Sequence, residues 1–239
     1  MNGLFFLLMD KIIITLDGHS GCGKSTLAKL IAQKLNYSYV DTGAMYRAIT
    51  YFFLSKDMLV DNQLVIGWED LLDNIEISFQ KKDKFLGNVI HLNGVCIEDE
   101  IRTMKISSLV SVVSKEREIR RKLVDYQQQI GVQKGIVMDG RDIGTVVFPL
   151  AEIKLWITAS VNVRAKRRYD EIKKVNNDIT LLQVAENLQS RDFEDSNRKI
   201  SPLKRPEKSY IIDSSSMSIS ETFDYSMEII NNYFSDNKE

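Results

Sequence analysis

The sequence predicts an α/β fold: a five-stranded parallel sheet flanked by helices, carrying a small antiparallel insert and a helical lid. Three observations predict it. Five short β-branched apolar runs recur between helical stretches, one segment switches to strict alternation, and a late segment is helical but unusually polar.

The five runs are residues 12–16, 37–40, 136–138, 153–157 and 210–212. Continuous apolar character suits strands buried on both faces, and helices between them support right-handed βαβ crossovers. Residues 75–97 break this rhythm: 75–79 and 89–95 alternate apolar with polar, and the charged stretch 81–84 reads as a turn. That pattern predicts antiparallel strands with one solvated face. Residues 161–197 form a charged helical stretch interrupted at Asn176-Asn177-Asp178, too polar for a core helix and suited to a mobile cover. Residues 1–9 read as an N-terminal tail or an upstream start. The apolar run at 4–9 is too short to span a membrane and lacks the basic start and cleavage site of a secretory signal, so cytoplasm is the expected compartment.

Composition narrows the class. With 239 residues, 44% hydrophobic and 27% charged, the chain can bury a full α/β core. Thirty-two basic residues against 33 acidic ones give a net charge of −1, which argues against broad nucleic-acid binding but leaves room for a local arginine cluster. Cys22, Cys96, His19 and His91 share no ligand spacing, which argues against a disulfide framework, a zinc site and a thioredoxin-like motif.

One motif carries chemistry outright. Gly18-His19-Ser20-Gly21-Cys22-Gly23-Lys24-Ser25 fits G-x-x-x-x-G-K-[ST], and Thr26 follows. Its glycines allow consecutive backbone N–H groups to turn around phosphate oxygens, Lys24 can reach the β- and γ-phosphates, and Ser25 can ligate Mg²⁺. The motif follows a strand ending at Asp17 and opens an amphipathic helix with Leu27, Leu30, Ile31 and Leu35 on one side. That context favours a phosphate loop over a glycine-rich turn bearing a surface lysine. The loop alone does not separate kinases from GTPases, motor ATPases and switches, although a guanine-reading NKxD motif is absent from the sequence.

Arginines suggest the acceptor. Joining two phosphates requires cations on both sides of the transferred group, and guanidinium grips phosphate bidentately. Arg47 and Arg141 each follow a core strand on the loop side where α/β sheets place ligands, whereas Arg117 and Arg121 read as a solvated helix face. Arg164, Arg167, Arg168, Arg191 and Arg198 lie in or beside the covering helices. Asp139 reads either as an acid beside Mg²⁺ or as a residue ordering its loop.

The ordered motifs DGxxGxGKST, DTGAMYRA, EIRT, DGRDIGTVVFP and SRDxxDSNRxxSPL resemble the bacterial cytidylate kinases, from about Ile12 to the serines after Asp213. The resemblance implies a P-loop kinase fold that passes the γ-phosphate of ATP, with Mg²⁺, to CMP or dCMP. It implies a core at 10–41, 105–160 and 201–239, a monophosphate-binding region at 42–104 and a lid at 161–200. Arg47, Arg141 and Arg198 would hold the acceptor phosphate with Thr42 nearby, and Arg191 and Asp195 would reach its ribose or phosphate. Ser111, Arg120 and Asp142 would read the cytosine edge, while Arg164 and Arg168 would close over ATP. Lys24, Arg141, Arg198 and Arg164 would be the catalytic set. Cytosine offers an amine donor with N3 and O2 acceptors, so an acid and a hydroxyl can accept while Arg120 donates. His19 departs from the family, which often has proline there, and would loosen the loop slightly. A UMP or nucleoside kinase and a nucleotide switch are the competing readings. Small-molecule substrates, no membrane and a monomer are the default expectations.

Overall fold

The computed structural model describes residues 10–83, 87–173 and 178–237. The predicted tail at 1–9 and the asparagine pair at the lid interruption lie outside these. In chain order, β1 (Ile13–Asp17) leads into α1 (Lys24–Leu35), then β2 (Ser38–Asp41) and α2 (Thr42–Ser55). A small hairpin, β3 (Leu59–Val60) and β4 (Gln63–Leu64), precedes β5 (Ile77–Asp83), β6 (Gly87–Leu92) and β7 (Val95–Cys96). Helices α3 (Met104–Ser114) and α4 (Arg117–Gly131) return the chain to β8 (Ile136–Gly140) and β9 (Ile153–Thr158). The covering pair α5 (Val161–Lys173) and α6 (Leu181–Asn197) follows, and β10 (Tyr210–Asp213) and α7 (Ile219–Asp236) complete the core.

The five core strands form one parallel sheet in the order β10-β9-β1-β8-β2. Each predicted run is one of these strands. Alternate side chains feed two cores: Ile13, Val40, Ile136 and Met138 pack toward α2, α3 and α4. Ile14, Leu16, Val137, Ile153 and Leu155 pack toward α1 and α7. Both faces of β1 and β8 are buried, whereas β9 alternates buried Ile153, Leu155 and Ile157 with half-exposed neighbours and β10 buries only Ile212. β1 lies at the centre of the sheet, so the loop that follows it opens at the crevice where the strand order reverses.

The insert is a three-stranded antiparallel sheet, with two departures from the expected boundaries. Residues 81–83 continue β5 instead of turning, because Lys81 pairs with Asn88 and Asp83 with Gly87 across the ladder. The expected strand at 89–95 is instead broken at Asn93-Gly94, whose φ values of 49° and 80° make a tight hairpin turn into β7. The covering helices have a small core of their own, built from Ala165, Val184 and Leu188 with Tyr169 and Ile172. Thr180 caps α6 through a reciprocal capping box with Gln183. Among the described residues, no helix is long and apolar enough to cross a membrane.

Candidate active site

The phosphate-loop backbone is shaped by where it must pass. Gly18 stands at φ 149°, and a Cβ there would lie 2.0 Å from the Ile157 carbonyl oxygen, so only glycine fits between β1 and β9. Gly23, at φ 89°, turns the chain into α1, placing Lys24 in the first turn. Lys24 is buried, and its Nζ donates to the His19 carbonyl at 2.7 Å; burial lowers its pKa. Ser25 Oγ donates to Asp139 Oδ2 at 2.8 Å, and Tyr39 Oη donates to Oδ1 at 2.8 Å. Burial, then the nearby Asp41, raises the Asp139 pKa, against the pull of Lys24 and these hydrogen bonds.

A cavity of about 560 Å³ runs from this loop along the carboxyl ends of the strands. One end is walled by residues 20–26, Arg167, Arg168 and the segment around Ser214 and Thr222. The other is walled by Thr42, Tyr46, Arg47, Arg102, Arg141, Asp142, Arg191, Asp195 and Arg198. Its arginines are organised by three acids. Asp41, the N-cap of α2, takes Arg47 and Arg102 at 3.0 Å each. Burial alone would raise the Asp41 pKa, but these two guanidinium groups and the Ala44 N–H outweigh it and hold the carboxyl far below its usual range. Asp195 accepts from Arg141 Nε at 2.9 Å and lies 3.7 Å from Arg198. Asp142 takes the buried Arg120 and, at 3.5 Å, Arg198. Arg120 also donates to the Ser114 carbonyl at 2.8 Å and stacks its guanidinium 5.2 Å from the Tyr46 ring centre.

This pairing leaves unmet demand. Nε of Arg47, Arg120 and Arg191 are buried donors without a partner. Arg191 makes no ion pair among the described residues, and burial, then Arg141, push its pKa down to about 10. Buried donors of this kind call for an anion or a polar ligand.

Most of the expected site residues converge on this cavity. Ser20 to Thr26, Thr42, Arg47, Arg141, Asp142, Arg191, Asp195, Arg198 and Arg168 all line it, and Arg120 lies directly behind Asp142. Gly18 and His19 shape the loop from outside the lining, with the His19 ring edge-on to Trp156 at 6.3 Å. Two expected residues are placed differently. Arg164 is buried behind the phosphate loop, donating to the carbonyls of Ala159 at 2.9 Å and Ser20 at 3.1 Å and pairing with Asp192 at 2.6 Å. It braces the loop from the rear and does not reach the cavity wall. Ser111 is half-buried on α3 but off the lining, to which that helix presents Ser107, Val110 and Ser114. At about 100° per residue Ser111 lies about 40° from Ser107 and about 100° from Val110, at the edge of that face.

Arg102, Arg167, Ser107 and Ser114 line the cavity without having been assigned there from the sequence. Arg102 had a signal in the EIRT motif. Its partner Asp41 is 61 residues away, so no local pattern reveals the pair. Arg167 donates to the Ser214 carbonyl at 2.7 Å and its hydroxyl at 3.1 Å, tying α5 to the loop before α7.

A triphosphate loop and an arginine chamber sharing one wall form the arrangement of a P-loop phosphotransferase with an anionic acceptor. A family profile described as cytidylate kinase matches residues 14–232. A cytidylate kinase from Flavobacterium psychrophilum is 47% identical over 227 residues, covering 94% of this chain and 100% of that one. One from Phocaeicola vulgatus is 43% identical over 214 residues, covering 89% and 93%. The chain belongs to the cytidylate kinase family. A solved structure of an uncharacterized protein from Eubacterium ventriosum shares the fold alone, with a TM-score of 0.52 at 11% identity over 93% of this chain and 99% of its own.

Proposed function

We propose that this enzyme transfers the γ-phosphate of ATP to CMP or dCMP, releasing ADP with CDP or dCDP. The observation that carries this reading is a pair of partnerless arginine Nε donors, Arg47 and Arg191, on the wall of a cavity that begins at the phosphate loop, with a third, Arg120, behind Asp142. An oxygen of the acceptor phosphate attacks the γ-phosphorus, and the bond to the β–γ bridging oxygen breaks. No side-chain nucleophile is needed, so the protein contributes positioning and charge.

On this reading Lys24 exchanges the His19 carbonyl for β- and γ-phosphate oxygens. Arg47, Arg141, Arg191 and Arg198 receive the acceptor phosphate, with Arg102 held beside them by Asp41. Asp142 accepts from the cytosine amine while Arg120 donates to the base, and Ser107, Ser111 and Ser114 offer hydroxyls from α3. Arg167 and Arg168, not Arg164, face the donor from the cover. Residues 42–104 act as the monophosphate-binding region and 161–200 as the lid that excludes water.

Mg²⁺ fits this chain. Ser25 Oγ and Asp139 Oδ2 lie 2.8 Å apart at the cavity end, a hard-oxygen pair suited to an ion that keeps most ligands as water and phosphate. Bound there, the ion supplies charge neutralisation on the phosphates.

The test is ADP release, coupled to NADH oxidation, with CMP, dCMP, UMP, AMP or no acceptor. The expected order places CMP and dCMP well above UMP, with little release in the absence of acceptor. Equal turnover of UMP would refute the base-reading roles, and rapid release without acceptor would point to an ATPase or switch.

A further inference from the structure

We infer that Asp17 is a positioning residue for the acceptor side, acting from beneath the phosphate loop on the turn that carries Arg141 and Asp142. The inference rests on the acceptor assignment proposed above. Asp17 is the last residue of β1 and is wholly buried. Its Oδ1 accepts from the Ile143 N–H at 2.8 Å and its Oδ2 from the Gly144 N–H at 2.7 Å, one oxygen for each donor. These two N–H groups open the short π-helical turn Ile143–Val147, where they would otherwise be orphaned in the interior.

The turn begins immediately after Asp142, and Asp142 must meet Arg120 and Arg198 at once. Backbone held at 143 and 144 therefore fixes where the Asp142 carboxylate points. The fit is tight: a Cβ on Gly144 would lie 2.9 Å from Pro206 Cγ, 3.0 Å from Thr15 Oγ1 and 3.2 Å from Asp17 Oδ2. Asp17 also immediately precedes Gly18, and pairs in register with Gly140 across β1 and β8. A single carboxylate thus ties the start of the donor loop to the acceptor turn. It does not line the cavity, so it acts through Asp142.

The experiment compares Asp17→Asn with the parent enzyme. Asparagine keeps one acceptor oxygen but turns an N–H₂ toward the second N–H, which loosens the turn. Displacing a positioned group by about 1 Å costs on the order of 100-fold in turnover efficiency. The expected result is a KM for CMP raised at least ~10-fold, a CMP-over-UMP preference narrowed by a similar factor, and an ATP analogue Kd within about twofold of the parent. A simply structural residue would lower folding stability and weaken both substrates alike. An unchanged CMP preference, or equal loss of ATP and CMP, overturns the inference. Should Asp17→Asn fail to fold, Gly144→Ala crowds the same contact while keeping the carboxylate. It is expected to give the same acceptor-side split, and unchanged CMP handling in that variant overturns the inference as well. A parent enzyme that does not prefer CMP would instead refute the acceptor assignment, so the two failures are distinguishable.

Discussion

Arg191 offers a demanding test, because the structure predicts that removing it stabilises the empty enzyme while disabling it. Its guanidinium makes no ion pair among the described residues, its Nε has no partner, and Arg141 stands near it. Burial, then Arg141, depress its pKa from the ordinary guanidinium range to about 10. At about 1.36 kcal/mol per unit that shift corresponds to roughly 3 kcal/mol of unfavourable interaction with the charged form. The side chain is only half-buried at the cavity wall, so solvent screening reduces the figure to about 1–2 kcal/mol.

Arg191→Met keeps a long side chain and deletes the charge. For a chain of this size each kcal/mol moves Tm by about 2–4 °C, so the variant is expected to melt about 2–8 °C higher without ligand. On the proposed acceptor role it also loses charge-assisted bonds worth about 1.5–3 kcal/mol, so CMP binding should weaken roughly 10- to 100-fold. Thermal melts with and without CMP, alongside titration calorimetry, read both effects. A lower Tm in the ligand-free variant would refute the claim that Arg191 is an uncompensated cation. Unchanged CMP affinity would refute its role as an acceptor contact.

Three further outcomes follow from the same geometry. If Lys24 faces the transferred group as proposed, Lys24→Ala should lower kcat by about 10²–10³-fold; near-normal kcat in the coupled assay would refute the phosphate-loop role. Asp142→Asn supplies an amide donor where the proposed base reading needs an acceptor, so the ratio of kcat/KM for CMP over UMP should fall at least ~10-fold, and an unaltered ratio would remove Asp142 from base reading. Burial raises the Asp17 pKa from 3.8 to about 6, so its contribution to stability is fully present below about pH 4 and declines as pH rises toward 6. Relative to Asp17→Asn, the parent should lose roughly 3 kcal/mol of stability across that window by urea unfolding, and a constant difference from pH 4 to 7 would contradict this.

The central strands β1 and β8 were legible because burial on both sheet faces leaves a signature that a sequence displays directly, continuous apolar runs. The phosphate loop was legible for the same reason: its glycines, lysine and serine are adjacent in the chain. Legibility failed where position depends on tertiary partners. Arg164 and Arg168 both belong to the same charged helix, and only packing against Ser20 and Asp192 sends Arg164 behind the loop. On α3, Ser107, Ser111 and Ser114 fall within about 60° of one another, and no spacing rule fixes which of them meets the cavity. The strand through residues 81–83 was hidden because backbone pairing across an antiparallel ladder needs no apolar side chain.

The acids of the acceptor chamber explain how so many arginines can share one wall. Four of the five that line it, Arg47, Arg102, Arg141 and Arg198, are held by Asp41, Asp142 or Asp195, which limits mutual repulsion and orders each guanidinium before substrate arrives. Preordered donors lower the reorganisation needed in the transition state. Pairing also moderates ground-state attraction: five bare cations would bind CMP and CDP alike very tightly, lowering KM without raising kcat. Arg191 is the exception, and its pKa, displaced to about 10, marks where the chamber stores unfavourable energy in the empty state. An acceptor dianion relieves that strain and should change Tm more in the parent than in Arg191→Met. The difference between the two CMP-induced shifts therefore measures how far the chamber is built around that one unpaired charge.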